Sequence, residues 1–396
     1  MGTKIVVTGF GVISALGDTV ELNRQALIDA RCGITRLELF PSKYAETLLF
    51  GEVKITNDQF KQTLGVNDEG VTRTTLLAMH AFEQAVKHSG LTSDEITSYD
   101  TAMIGANTVG GMCLTDELYH DANNDKEGSA YLSSYDIGSV NVFMQQHYGM
   151  KGIGNTINTA CSSAANAIMY GARLIQNGYA KRAIVGGTDS LAKFTINGFN
   201  ALHILSPEIC KPFDQNRQGL NLGEGAGYLV LEREEDVKGK KVYAVLSGYC
   251  NANDAHHPSS ISDNGEGPYL AMQGALALAG LKPEQISFVN THGTATPNND
   301  EVEGVGMLRV FTSVPHFAST KSNTGHTLGG SGAIEAVYSI LNLVHQELYP
   351  SLHFDTPIES TGLKPLQTYM QTPVDHVMSN SFGFGGNCSS LIFSKV

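Results

Sequence analysis

Charged residues are scarce in this 396-residue chain, at 16% of the sequence, and positive charge is the scarcer kind. Lysine and arginine number 26 against 39 aspartates and glutamates, a formal net charge of 26 − 39 = −13. Phosphate binding needs concentrated positive charge, so nucleic acid is excluded as the main partner. No block of like charge is long enough to form a tail. The densest acidic stretch, Glu232–Asp236, reads as a solvated loop. The six cysteines (Cys32, Cys113, Cys161, Cys210, Cys250, Cys388) include no C-x-x-C pair, which argues against a disulfide framework and a zinc site. Residues 1–17 lack a basic leader followed by an uninterrupted apolar core, so no signal peptide is expected. The apolar stretch Ala333–Val344 carries Glu335 and is too short to span a bilayer. These absences point to reducing cytoplasm, with no membrane partner. Tryptophan is also absent, which excludes nothing.

What is present is glycine, 43 residues of it, with 41% hydrophobic residues. That composition suits a tightly packed α/β enzyme, and the length allows two or three domains. The opening run Ile5–Ser14 reads as a buried strand entering a glycine turn. Gly9-x-Gly11 lacks the third glycine of a dinucleotide loop, and no acidic residue follows a second strand at the right interval. Helices are expected near Thr19–Ala30, Asn57–Leu64 and Thr72–His88, the last stopped by Gly90. The strand Thr101–Ala106 leads to a turn at Val109–Gly110–Gly111, and residues 112–150 are helical in patches.

The chain then repeats itself. His88–Ile96 is echoed by Leu278–Ile286, and the strand Val242–Gly248 resembles the opening one. The segment at Cys161 is matched by Gly325–Leu343, and Arg182–Gly187 by Val377–Gly386. We therefore expect two duplicated α/β halves, residues 1–240 and 241–396, with site residues on strand-end loops where they meet.

Thr159–Ala160–Cys161–Ser162–Ser163 precedes an apolar run from Ala164 to Ile175 that reads as a helix buried all round. A cysteine in the first turn of such a helix faces unsatisfied N–H groups and the positive end of the dipole, which favour thiolate. By itself, a free cysteine is more often a small buried hydrophobe. Three later stretches occupy equivalent strand-end positions: Thr291–Pro297 with His292, Lys321–His326, and the glycine-dense turn Ser379–Asn387. Cysteine with histidines suits covalent catalysis on acyl groups, and the glycines let backbone N–H groups reach an oxyanion. The competing chemistry is zinc on Cys161 and the two histidines. It is discounted because no pair shows ligand spacing and His326 precedes a helix, where a cation is unwelcome. Asn253, Asp254, His256 and His257 read as a polar loop.

These stretches resemble the β-ketoacyl-[acyl-carrier-protein] synthases, the elongating condensing enzymes of the thiolase-like superfamily. Thr159-Ala-Cys161-Ser-Ser is similar to their nucleophile motif. His292-Gly-Thr and Lys321-Ser-Asn-Thr-Gly-His326 resemble their histidine motifs, and Asn380-Ser-Phe382-Gly-Phe384-Gly-Gly their closing glycine loop. Lys211-Pro-Phe-Asp214, Gly223–Glu232 and Val7-Thr-Gly-Phe-Gly also fit, so the likeness runs in order from Lys4 to Phe393. The resemblance implies a five-layer αβαβα fold, no cofactor, an acyl carrier protein as partner, and a homodimer with its interface around residues 100–150. It implies that Cys161 takes the acyl chain while His292 and His326, as neutral donors, hold the malonyl carbonyl. Lys321 would order the site with Glu335 as charge partner, and the N–H groups of Cys161 and Phe384 would form the oxyanion hole. Val109, Phe199, Thr294, Thr296, Phe382 and the gating Phe384 would bind substrate. Some members hold a structural monovalent cation, for which Asn290, Glu303, Glu335 and Ser379 match.

His326, where chain-initiating relatives carry asparagine, argues for elongation. Departures from the pattern leave room for a polyene or other polyketide pathway: Asn387–Cys388 in place of Thr–Asn, a short Leu205–Lys211, an altered Gln218–Leu220, and few basic residues over Lys61–Arg73. A non-catalytic chain-length subunit is the rival reading, although such subunits usually lack the nucleophile. A coenzyme A thiolase is disfavoured, since Cys388 is its only candidate second cysteine and stands in the wrong context.

Overall fold

The structure is a computed structural model that describes residues 3–68, 70–124, 129, 134–237 and 239–396. Its ten-stranded sheet is formed by β1 (Ile5–Ile13), β2 (Thr101–Ala106), β3 (Gly154–Ile157), β4 (Arg182–Asp189), β5 (Gly225–Arg233), β6 (Ala244–Asn253), β7 (Phe288–Asn290), β8 (His316–Ala318), β9 (His376–Gly383) and β10 (Asn387–Ser394). The spatial order is β3-β2-β4-β5-β1-β6-β10-β9-β7-β8. Read inward from either edge, the two halves are the same. Two parallel pairings (β3 with β2, β2 with β4) precede two antiparallel ones (β4 with β5, β5 with β1), and β8, β7, β9, β10 and β6 repeat that pattern. The halves join through a short ladder, Val6 with Val245 and Val7 with Ala244.

Helices α1 (Val20–Ile28), α2 (Asn57–Leu64), α3 (Arg73–Ser89), α4 (Ser163–Gln176), α5 (Glu266–Ala279), α6 (Pro297–Val310) and α7 (Ser331–His345) supply the layers. α3 covers one outer face, against β1 and β5, and α5 and α6 cover the other. α4 and α7 lie between the two half-sheets and share one apolar core with both. The result is the αβαβα layering. Small residues make the central layer fit: a Cβ on Gly187 would lie 2.6 Å from the Ala164 methyl, and one on Gly227 2.6 Å from the Ala333 backbone. α4 is buried along most of its length, but Arg173 and Gln176 reach solvent. α3 ends as its sequence requires, with Gly90 left-handed at φ +67°.

One expectation fails outright. Glu232 belongs to β5, not to a solvated loop, and is 1% exposed. It accepts a hydrogen bond from Thr8 Oγ1 (2.6 Å) and pairs with Lys240 (3.0 Å) and Arg182 (3.4 Å). Burial of the carboxylate is tolerated because both cations come with it. Among the described residues, no helix is long and apolar enough to cross a membrane.

Candidate active site

The nucleophile turn follows β3. Ala160 takes a left-handed conformation (φ +52°), and Ser163 Oγ bonds both arms, donating to Ala160 O (2.5 Å) and accepting from Thr159 N (2.8 Å). α4 begins at Ser163 behind the N-cap Ser162, so Cys161 stands just before the helix and not in its first turn. The expected thiolate preference does not hold either. Burial pushes the Cys161 thiol up to about 11, outweighing Lys321 and the Phe384 and Cys161 N–H groups, which pull it down. Asp189 adds a further upward push. Free Cys161 is therefore protonated at neutral pH. Its alkylation by iodoacetamide should rise about tenfold per pH unit from pH 7 to 10, since only thiolate reacts; a plateau near neutrality would contradict this.

His292 follows β7 in a turn held by Glu303 of α6, whose two oxygens accept from His292 N (2.9 Å) and Gly293 N (2.8 Å). Asn380 Nδ2 also donates to Glu303 (3.2 Å), and burial still raises this carboxyl to about 7. His326 leaves a left-handed Gly325 (φ +74°) and pairs its backbone with Asn221 O (2.7 Å) and Gly223 N (2.9 Å). The two rings stand nearly perpendicular, 5.3 Å apart, and both are buried. Burial first, then the Lys321 charge, holds both imidazoles well below the usual histidine range, so they are neutral at physiological pH. Lys321 Nζ lies 3.4 Å from His292 Nδ1 and is in ion-pair contact with Glu335. An ammonium can only donate, so His292 Nδ1 accepts and Nε2 carries the proton.

The thiol and a ring nitrogen of each histidine lie within 4.8 Å of one another. Spacing along the chain therefore does not exclude zinc, because the fold gathers residues that the sequence keeps apart. What opposes a metal is the Lys321 ammonium beside His292.

Above the thiol opens a cavity of about 260 Å³ lined by Cys161, His292, His326, Phe199, Thr294, Thr296, Phe382 and Phe384. Phe384 stacks on Phe199 at 5.9 Å. Val109 does not line it. It lies behind, 1% exposed, packed with Leu191, Leu220, Leu328 and Phe199. Leu202, Ile204, Leu220 and Ile261 also form the wall. Nothing in their spacing marks them in the sequence, since they arrive from irregular loops.

The polar loop after β6 turns out to seat on the glycine loop. Asp254 N donates to Gly386 O (2.8 Å), Asn253 Nδ2 to Gly385 O (3.3 Å), and Gly385 N to Pro258 O (2.8 Å). The departure at Asn387 has a visible consequence: its Oδ1 lies 2.8 Å from each of three donors, Ser162 Oγ, Asn166 Nδ2 and Asn251 Nδ2.

Deeper in the site, Asn290 Oδ1, Glu335 Oε2 and Ser379 Oγ are buried without a hydrogen-bond partner among the described residues. Ser379 pairs with Asn290 in register, and Asn290 Nδ2 reaches Glu335 O (3.4 Å). Buried oxygens left without a donor are the kind of ligand that a hard monovalent cation takes. Glu303, by contrast, has both oxygens engaged by backbone.

The profile for "Beta-ketoacyl synthase, N-terminal domain" matches residues 2–237, and that for the "C-terminal domain" matches residues 243–355. The chain belongs to the β-ketoacyl synthase family. As a β-ketoacyl synthase it is an acyltransferase. It is 34% identical to a 3-oxoacyl-[acyl-carrier-protein] synthase 2 of Vibrio cholerae serotype O1, with 99% of each chain covered. Among solved structures it is similar to "The ishigamide ketosynthase/chain length factor" (TM-score 0.93, 27% identity, all of both chains covered). It is also similar to a ketosynthase (ApeO) in complex with its chain length factor (ApeC) from Xenorhabdus doucetiae (TM-score 0.84, 31% identity, 100% of this chain and 98% of the other covered).

Proposed function

We propose that this β-ketoacyl synthase elongates acyl chains by decarboxylative Claisen condensation on acyl carrier protein. The observation that carries the reading is a thiol and two neutral imidazoles meeting at one cavity, backed by a buried Lys321–Glu335 pair. Cys161 exchanges its proton for the acyl group of the carrier thioester, which leaves as carrier thiol. In the second step the malonyl carboxylate departs as carbon dioxide. His292 and His326 donate to the thioester oxygen and stabilise the enolate. The carbanion attacks acyl-Cys161, the Cys161 and Phe384 N–H groups hold the tetrahedral oxyanion, and the expelled thiolate takes up one proton. A thiol that titrates near 11 recaptures that proton readily. Incubation with acyl- and malonyl-carrier thioesters should yield carbon dioxide and β-ketoacyl carrier in equal amounts; absence of both overturns the reading.

Residues 61–73, where the carrier would dock, offer few free cations, because Arg73 is turned inward onto Glu224, Val53 O and Ile55 O. β3 is an exposed edge strand, which supports pairing with a second copy. Residues 125–128 and 130–133 of the expected interface lie outside the described residues. Six free thiols support a reducing, cytoplasmic setting. The non-catalytic chain-length role is opposed by the complete set of Cys161, His292, His326 and Lys321 at one site.

We also place a monovalent cation at Asn290, Glu335 and Ser379, with no step of the reaction routed through it. An ion present at roughly 100 times its dissociation constant stabilises by about 2.7 kcal/mol. Replacing sodium and potassium by tetramethylammonium should therefore lower the unfolding temperature by a few degrees, and potassium should restore it; an unchanged midpoint would remove the ion.

A further inference from the structure

A carboxylate that the mechanism does not use bonds both the Thr108–Val109 segment and the loop beyond His326. Asp189 ends β4 and is completely buried. Its Oδ1 accepts from Val109 N (2.8 Å) and Thr108 N (2.9 Å), and its Oδ2 from Thr108 Oγ1 (2.6 Å) and Gly329 N (2.7 Å). Thr108–Val109 is the segment after β2 that backs the pocket. Gly329 lies three residues beyond His326. One side chain thus fastens both segments to β4.

The segment it fastens is strained. Leu328 is left-handed at φ +49°, a conformation that a bulky residue holds only when its surroundings enforce it. Its side chain is 5% exposed and packs in the same cluster as Val109, Leu191 and Phe199. A side chain two residues from His326 therefore forms part of the apolar packing behind the acyl cavity. A Cβ on Gly329 would lie 2.8 Å from Asp189 Oδ2, so the approach leaves no slack. Burial raises the Asp189 carboxyl to about 6 even with these donors, which is consistent with a group placed for its hydrogen bonds and not for solvation.

We propose that Asp189 is a positioning residue that sets the pocket segment at Val109 and the His326 loop as one unit, so that the acyl-chain preference and malonyl decarboxylation are governed by the same buried carboxylate. The inference rests on the condensation reading above. It extends that reading to two residues, Thr108 and Leu328, that touch neither reacting group.

The test uses Thr108, because Asp189→Asn aims an amide at backbone donors and invites misfolding. Thr108→Val keeps the shape and removes the 2.6 Å hydroxyl donor, and Thr108→Ser keeps the hydroxyl. Two rates are measured in the full chain: acyl-Cys161 formation across a series of acyl-carrier lengths, and carbon dioxide release from malonyl carrier. In Thr108→Val we expect short-chain acylation within twofold of wild type, decarboxylation slowed about tenfold, and a shifted acyl-length optimum. Thr108→Ser should restore both. A Thr108→Val protein whose two rates fall in equal proportion, or whose length profile and decarboxylation match wild type, overturns the proposal. A wild-type chain that makes neither carbon dioxide nor product instead overturns the condensation reading.

Discussion

Cys161→Ala abolishes β-ketoacyl product, by roughly a thousandfold or more, while malonyl carrier is still decarboxylated. No other thiol can substitute. Cys388 is fully buried among Phe382, Ile261 and Val302, and burial drives its thiol far above the ordinary value. The groups proposed for decarboxylation remain in place, with His292 bound through Glu303 and Lys321, and His326 through its backbone. The enolate then has no acyl partner and takes a proton from water, giving acetyl carrier. Carbon dioxide release without β-ketoacyl product, scored by mass spectrometry of the carrier, is the expected result. Full condensation in the variant would remove Cys161 as nucleophile.

The largest stability effect is expected at Lys321, which is 1% exposed and in contact with a Glu335 that is 2% exposed. Lys321→Met takes the ammonium from the buried Glu335 oxygen that it engages, a loss of about 3–5 kcal/mol. Burial already raises the Glu335 carboxyl, with Lys321 opposing. Removing that opposition raises it further. A carboxyl raised in the folded state stabilises when protonated, and the benefit is lost as pH rises through its folded value. The variant should therefore be less impaired at pH 5 than at pH 8. Lys321→Met combined with Glu335→Met should recover much of the loss, because two apolar side chains need no partner. Urea denaturation at both pH values reads all three outcomes; equal midpoints for wild type and Lys321→Met would show that the pair carries no such energy.

Much of the site was legible because it is written as short contiguous motifs. The glycine that stops α3 needed only local geometry, whereas the Lys321–Glu335 pairing came from the family resemblance. Duplication was legible in the same way, since each echo preserves local order, and the sheet order repeats it strand for strand. What could not be read is whatever depends on burial. Cys161 has the sequence of a helix-activated thiol, yet the fold removes it from solvent and reverses the preference. Glu232 has the sequence of a surface acid, yet Arg182 and Lys240 accompany it inside. Val109 follows the right strand but faces the packing behind the cavity, and the wall residues Leu202, Ile204 and Ile261 come from loops without period. Zinc was set aside on spacing, a criterion that distance in the folded chain overrules.

The central claim is a division of labour in which Cys161 accepts the acyl group without a histidine base, leaving both neutral imidazoles to the malonyl carbonyl. No thiol–imidazole hydrogen bond is formed among the described residues, although the groups lie within 4.8 Å. The direct test is the rate of acyl-Cys161 formation, followed by intact-protein mass spectrometry, in His292→Ala and His326→Ala beside their rates of carbon dioxide release. Under this division of labour acylation stays within a few-fold of wild type and decarboxylation falls by roughly a hundredfold or more in each variant. Acylation and decarboxylation falling by the same factor would contradict it.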